Sequence, residues 1–253
     1  CPTKYTEFPM NFKLHIWRQK NADDQGYFEQ YEIDVSETTS LLEMLDALNE
    51  RLISHGQEAI AFDFDCREGI CGSCNLVIYG TPHGKHKATT TCQQYMRDYA
   101  DESELWIEPW RATAFPIIKD LIVDRTPFDK IIQAGGYIAT RTGSASEANT
   151  IAIAKQVSDD AFDAATCIGC GACVAVCPNA SATLFVAAKV SHLSTLPQGE
   201  IDKQRTEKLL YEMEQQGFGS CSNYRECERV CPKEISVSTI TTMNKLLYQN
   251  TKS

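Results

Sequence analysis

Cys167-Ile168-Gly169-Cys170-Gly171-Ala172-Cys173-Val174-Ala175-Val176-Cys177-Pro178 is the stretch on which the reading of this chain turns. In a Cys-x2-Cys-x2-Cys-x3-Cys-Pro run, three thiolates hold one iron–sulfur cubane and the fourth reaches across to a second cluster. Cys167, Cys170 and Cys173 therefore need a ligand from elsewhere, and Cys177 needs partners. A downstream run supplies both. Cys221-x5-Cys227-x3-Cys231-Pro232 aligns with the first through the Cys-Pro ends, which sets Cys231 on Cys177, Cys227 on Cys173 and Cys221 on Cys167. The position that falls on Cys170 is Tyr224. Cys231 then completes Cys167, Cys170 and Cys173 as a four-thiolate set for a [4Fe–4S] cluster. Cys177, Cys221 and Cys227 form a set of three. Three thiolates suit a [3Fe–4S] cluster, because the corner facing Tyr224 has no anchoring sulfur. A fourth iron held there by water or another side chain is the alternative, since non-cysteine ligands occur in such proteins.

Further out, Cys66-x4-Cys71-x2-Cys74, followed by Cys92, has the plant-type [2Fe–2S] spacing. Its loop must wrap a cluster while backbone N–H groups point at the sulfurs. Gly69 and Gly72 supply the backbone angles this requires. Hydrogen bonds to sulfur stabilise the more negative, reduced cluster and raise its potential. Zinc is the competing occupant, but structural zinc favours paired Cys-x2-Cys or Cys/His sets. Eleven of the twelve cysteines fall into these groups, leaving Cys1 as the non-ligand.

The rest of the composition narrows the class. The chain has 253 residues, 24 Lys+Arg against 34 Asp+Glu and a net charge of −10. Its sequence pI is near 5.0 and its mean hydropathy −0.31. A 43% hydrophobic content is enough to bury a core, which argues against disorder. The acidic balance excludes a nucleic-acid partner, which calls for a basic footprint. Twelve cysteines lie below the ~8–10% of a disulfide scaffold, and a reducing cytoplasm would keep disulfides open. No apolar run approaches the ~18 residues of a membrane span, so membrane contact is expected through a partner. No charged-then-apolar leader opens the sequence, which predicts a cytoplasmic protein.

Hydrophobic periodicity predicts an α+β chain. Phe12, Leu14 and Ile16 alternate with polar residues as a strand, and Phe28, Tyr31, Ile33 and Val35 make its hairpin partner. Ser40 with Glu43 forms a capping box ahead of Leu41, Leu42, Leu45, Leu48 and Leu52, a helix ending near Gly56. Leu76–Tyr79 and Leu105–Trp110 give further strands. Beyond Trp110 the expectation is helical. Ile117, Ile118, Leu121 and Ile122 recur at helical spacing after Pro116, and Phe128, Ile131 and Ile132 continue the theme. Residues 141–150 read as a polar loop. Helices are predicted over 183–194, 202–216 and 239–248. The domain division expected is 1–112 for the [2Fe–2S] domain and 113–253 for a helical domain holding the other two clusters.

The three cysteine groups in this order resemble the iron–sulfur subunit of succinate dehydrogenase and fumarate reductase. The resemblance covers nearly the whole chain. It is carried by Cys66-Arg67-Glu68-Gly69-Ile70-Cys71-Gly72-Ser73-Cys74, by Pro116-Ile117-Ile118-Lys119-Asp120-Leu121-Ile122-Val123-Asp124 and by the two Cys-Pro-terminated runs. It implies an N-terminal plant-type ferredoxin-like (β-grasp) domain and a C-terminal all-α bacterial-ferredoxin-like domain. It implies [2Fe–2S], [4Fe–4S] and [3Fe–4S] clusters in a line, a flavoprotein partner with FAD, and a membrane-anchor cytochrome b subunit carrying haem b. Electrons would pass from the flavin through the clusters to menaquinone or ubiquinone. The protein would then sit peripherally on the cytoplasmic face of a bacterial cell membrane, as a subunit of succinate dehydrogenase (quinone), with the dicarboxylate chemistry on the partner. The same part in a fumarate reductase, or in a soluble cytoplasmic reductase, is the alternative.

Two positions depart from the mitochondrial-like pattern. The Cys74–Cys92 interval is longer and includes Pro82-His83-Gly84-Lys85, which looks like the menaquinone branch whose single anchor carries two b haems. Ala182 and Ser222 stand where those members have a quinone-pocket Trp and His, so no residue here is assigned to quinone. The histidines at 15, 55, 83, 86 and 192 lack ligand spacing and are expected on the surface or in structural roles. His83, Lys85, His86 and Lys87 are expected to form a solvated basic loop. No phosphate-cradling glycine loop and no nucleophile–base pair occurs, so no catalytic residue is assigned to this chain.

Overall fold

The structure, a computed structural model, describes residues 10–102, 104–137, 139, 153–195 and 203–250. Cys1 and the predicted loop at 141–150 lie outside the described residues. The chain divides into two compact units. One runs to Arg111 and takes back Phe115–Asp124; the other takes Ala112–Ala114 and continues from Arg125.

In the first unit, β1 (Met10–Arg18) and β2 (Tyr27–Val35) pair antiparallel, from Met10 opposite Val35 to Arg18 opposite Tyr27. The alternation read from the sequence places Phe12, Leu14 and Ile16 in the core. Helix α1 (Leu41–Ser54) follows. The Ser40 hydroxyl accepts from Glu43 N at 3.3 Å, and Ser40 N donates to the Glu43 carboxylate at 2.7 Å, so two of the four orphan amides of the first turn region are satisfied reciprocally. Leu41, Leu42, Leu45, Leu48 and Leu52 are buried together with the inner face of the sheet. Strands β3 (Leu76–Ile78), β4 (Thr81–Pro82) and β5 (Glu104–Pro109) complete a sheet of order β2-β1-β5-β3-β4. β1 and β5 run parallel at its centre, and its other pairings are antiparallel. A hairpin, a covering helix and a last strand returning parallel to the first make the β-grasp arrangement expected.

The helix expected after Pro116 is a hairpin instead. β6 (Ile117–Lys119) and β7 (Ile122–Val123) pair antiparallel. Asp120 turns the chain at φ 46, and its buried carboxylate accepts from Gln19 N and Ala61 N, each at 3.0 Å, with Arg18 Nε at 3.4 Å. Leu121 drops into the sheet core. Helical spacing of four apolar residues could not reveal these long-range bonds. They also draw Phe115–Asp124 back into the first unit, beyond the break after Arg111. His83 is corrected as well. It is buried against Thr91, whose hydroxyl lies 3.0 Å from Nδ1, and meets the Trp110 ring edge-on, so Pro82–Gly84 is part of a folded turn rather than a solvated loop.

In the second unit the described elements are helices: α2 (Thr126–Ile131), α3 (Lys155–Ala165), α4 (Ala172–Ala175), α5 (Thr183–Thr195), α6 (Lys203–Gln215), α7 (Glu226–Arg229) and α8 (Ser238–Asn250). α5 is buried on every side from Thr183 to Leu193, as a central helix must be, and α3, α6 and α8 pack around it. α3 had no sequence expectation, because its buried residues are the small Ala161 and Ala164. Among the described residues no helix is long and apolar enough to cross a membrane.

Asp120→Ala strips the Gln19 and Ala61 amides of their acceptor and Arg18 of its buried carboxylate. The expected cost is about 3 kcal/mol, read as a lowered unfolding midpoint in denaturant. A change below about 1 kcal/mol would contradict this role.

Candidate iron–sulfur centres

All eleven described cysteines are free of disulfides. In the first unit, Arg67, Gly69 and Gly72 take left-handed backbone angles (φ 56, 70 and 74) and turn the loop's amides inward. Glu68 N donates to Cys66 Sγ at 3.3 Å, and the Ile70 and Cys71 N–H groups face the same sulfur. Burial opposes ionisation of Cys66, but these donors and the Cys71 thiol outweigh it and hold the group below its ordinary value. The Cys92 thiol is pushed down to about 5, first by its hydrogen bond with Cys74 and against burial, then by the Thr90 hydroxyl, Gly69 N–H and Gln93. Thr90 Oγ1 stands 3.2 Å from Cys92 Sγ. Gln93 Nε2 donates to Arg67 O at 2.7 Å and ties the two arms of the site. Gly69 has little room to change, since a Cβ there would lie 3.1 Å from Thr90 Oγ1.

The two runs of the second unit share one backbone design. Gly169 and Asn223, Gly171 and Arg225, and Ala180 and Glu234 occupy matching positions, and all six have positive φ (62, 58, 88, 65, 49 and 52). Each run then winds into a single helical turn, α4 or α7, and closes with matching bonds, Ala180 N to Cys177 O at 2.8 Å and Glu234 N to Cys231 O at 3.1 Å. Four non-glycine residues in this region of backbone space are costly singly and persist only under tertiary constraint.

The runs exchange their last cysteines. Cys167, Cys170, Cys173 and Cys231 line one cavity, walled by Phe128, Leu184, Phe185 and Ile235. Cys177, Cys221 and Cys227 line another, with Ser181, Thr183 and Tyr224. The sets inferred from spacing are thus the sets brought together in space. At the one cysteine of the first run that the second lacks, Cys170 is 7% exposed and its counterpart Tyr224 57%.

Burial pushes the Cys170 thiol up to about 12 and the Cys227 thiol up to about 11. It raises Cys167, Cys173 and Cys231 too, with the neighbouring sulfurs adding to the rise at Cys173. Sulfurs crowded in an apolar wall ionise only when a positive group replaces their protons, which is the condition metal binding meets. Some compensation is built in, since Asn223 N donates to Cys221 Sγ and Ile235 N to Cys231 Sγ, each at 3.4 Å. Among the described residues no three His, Cys, Asp or Glu side chains close on a single-ion point. The sulfurs stand around cavities, a layout that a multi-iron group fills and one tetrahedral zinc does not.

Residues 13–130 match the family described as a 2Fe-2S iron-sulfur cluster binding domain, and residues 163–235 the 4Fe-4S dicluster domain. The fumarate reductase iron-sulfur subunit of Escherichia coli O6:H1 is 27% identical over 241 residues, covering 93% of this chain and 92% of that one. The succinate dehydrogenase iron-sulfur subunit of Bacillus subtilis is 27% identical over 240 residues, covering 91% and 90%. This chain is homologous to the iron–sulfur subunits of the succinate dehydrogenase and fumarate reductase family. A chain of the Mycobacterium smegmatis Sdh1 complex has the same fold, with a TM-score of 0.68 at 20% identity over 97% of this chain and 98% of that one. An iron–sulfur subunit of this family transfers electrons, and its sheet unit and helical unit correspond to the two matched domains.

Other parts of this iron–sulfur subunit took their places without sequence foresight. His15 is buried and stacked on Trp106, and His192 is buried in α5; neither lines the two cysteine cavities. Ala182 is buried, while Ser222 accepts a 2.8 Å bond from Asn179 Nδ2. Sequence reading expected the loop amides at the sulfurs but missed Thr90 as a further donor. Only the placing of Thr90 two residues before Cys92 could have signalled it.

Thr90→Val keeps the side chain's shape and removes its hydroxyl. With one hydrogen bond worth roughly 1 kcal/mol, the [2Fe–2S] potential is expected to fall by about 40 mV in an EPR-monitored redox titration. An unchanged or higher potential would contradict the bond's role.

Proposed function

We propose that this chain is the electron-transfer subunit of a membrane-bound succinate dehydrogenase. The reading is carried by the sulfur sets of four, four and three, two of them built by exchange of Cys177 and Cys231 between duplicated runs. In it, Cys66, Cys71, Cys74 and Cys92 hold a [2Fe–2S] cluster. Cys167, Cys170, Cys173 and Cys231 hold a [4Fe–4S] cluster, and Cys177, Cys221 and Cys227 a [3Fe–4S] cluster. When bound, such clusters supply reversible one-electron storage, which lets a two-electron dicarboxylate reaction meet a partner that takes electrons singly. The chain's own residues keep the sites in shape. Phe128, Phe185 and Leu184 exclude water from the four-sulfur cavity, and the left-handed loop positions aim amides at sulfur.

The partners in this reading are a flavoprotein with FAD, which does the dicarboxylate chemistry, and a membrane cytochrome b that delivers electrons to menaquinone or ubiquinone. The longer interval between Cys74 and Cys92 supports the menaquinone branch. The subunit then sits peripherally at the cytoplasmic face of the cell membrane. Fumarate reduction is the second reading, supported by the Escherichia coli relative, whose name is fumarate reductase iron-sulfur subunit. Flavin and quinone potentials decide between the directions.

Purified from its own cell through a tag on this chain, the protein is expected to bring a flavoprotein and b-type haem, and succinate is expected to reduce that haem. A haem-free, soluble complex would contradict the membrane-bound reading in favour of a cytoplasmic reductase. Separately, Tyr224→Cys is expected to add a thiolate at the open corner and diminish the three-iron EPR signal of the oxidised protein. An undiminished signal would count against Tyr224 marking that corner.

A further inference from the structure

Lys189 is a charged side chain in the middle of α5, only 3% exposed. Its Nζ donates to the backbone carbonyl of Cys167 at 3.0 Å and lies 5.9 Å from the centre of the Phe185 ring. Among the described residues it has no carboxylate partner, and a carbonyl alone is weak compensation for a buried ammonium. A charge taken out of water is tolerated when an opposite charge faces it. The candidate for that charge is the four-cysteine cavity, which is lined by Cys167, the residue whose carbonyl Lys189 holds.

The surroundings exclude a looser explanation. His192, one turn further along α5, is held below its ordinary value by burial and by the cations of Lys189 and Arg205, so it brings no negative charge. Arg125 approaches the same loop, where its Nη2 donates to Gly169 O at 2.6 Å, but it also has Asp129 at 4.0 Å. Lys189 differs in having its charge directed at the cysteine loop without such a carboxylate.

We infer that Lys189 is a positioning residue for redox poise: its buried ammonium offsets the negative charge of the [4Fe–4S] site, favours the reduced cluster and so raises that cluster's potential above those of charge-free variants. The inference rests on the assignment of Cys167, Cys170, Cys173 and Cys231 to that cluster. Reduction adds one electron to a site enclosed by apolar walls, where a fixed cation is poorly screened. An apolar side chain of similar length would leave that electron without the offset.

The test is an EPR-monitored redox titration of the intact complex carrying Lys189→Met or Lys189→Arg, with iron counted in each. Lys189→Met is expected to lower the reduced-to-oxidised ratio of the [4Fe–4S] cluster at least tenfold at the wild-type midpoint, a fall of ~59 mV for one electron. The [2Fe–2S] and [3Fe–4S] potentials should move less, and Lys189→Arg should stay within threefold of wild type. An unmoved potential in Lys189→Met overturns the inference, as does an equal fall in Lys189→Arg. If Lys189→Met loses the four-iron cluster, its retention in Lys189→Arg supports the charge requirement and its loss there overturns it. A wild-type complex without any four-iron signal would instead overturn the ligand assignment itself.

Discussion

The costliest groups in this protein are its buried sulfurs, and the surrounding fold is organised by what they need. A thiolate in an apolar wall is unfavourable unless donors or cations face it. The sheet unit answers with amides: Arg67, Gly69 and Gly72 bend the chain so that several N–H groups face Cys66 and Cys92. In the helical unit burial outweighs the donors at Cys167, Cys170 and Cys173, so those thiols rise instead of falling. In the proposed reading, bound iron supplies the missing positive charge there, with Lys189 as the protein's own contribution.

The helical unit is a duplicated device with one deliberate-looking asymmetry. Both runs place a left-handed residue two positions and again four positions after their first cysteine, wind one turn and close on Cys-Pro. Swapping Cys177 and Cys231 makes each cavity depend on both runs, so neither site forms unless the whole unit folds. The asymmetry at Cys170 and Tyr224 separates a cavity with an almost wholly apolar wall from one with a more polar wall. In the proposed reading, differences in ligand number and wall polarity give the two clusters different potentials.

Much of this was legible in the sequence because its signals are local. Spacing alone grouped the cysteines into the sets that the fold brings together, and the Ser40–Glu43 capping box and the alternation in β1 marked their elements. What escaped was non-local. The Ile117–Ile122 stretch has helical spacing, yet Asp120 reaches Gln19 and Ala61 and holds it as a hairpin. His83 sits among Lys85, His86 and Lys87 in sequence but packs inward on Trp110. α3 turns small alanines inward, which no hydrophobic pattern announces. Lys189 reads as one polar residue in an apolar helix, and only burial beside Cys167 gives it meaning.

The central claim is that the sulfur sets hold clusters of two, four and three irons. Iron counted per chain in the intact complex, with low-temperature EPR of the oxidised protein, tests it most directly. The account predicts about nine irons and a three-iron signal before any reductant is added. About ten irons, with that signal absent, would contradict it.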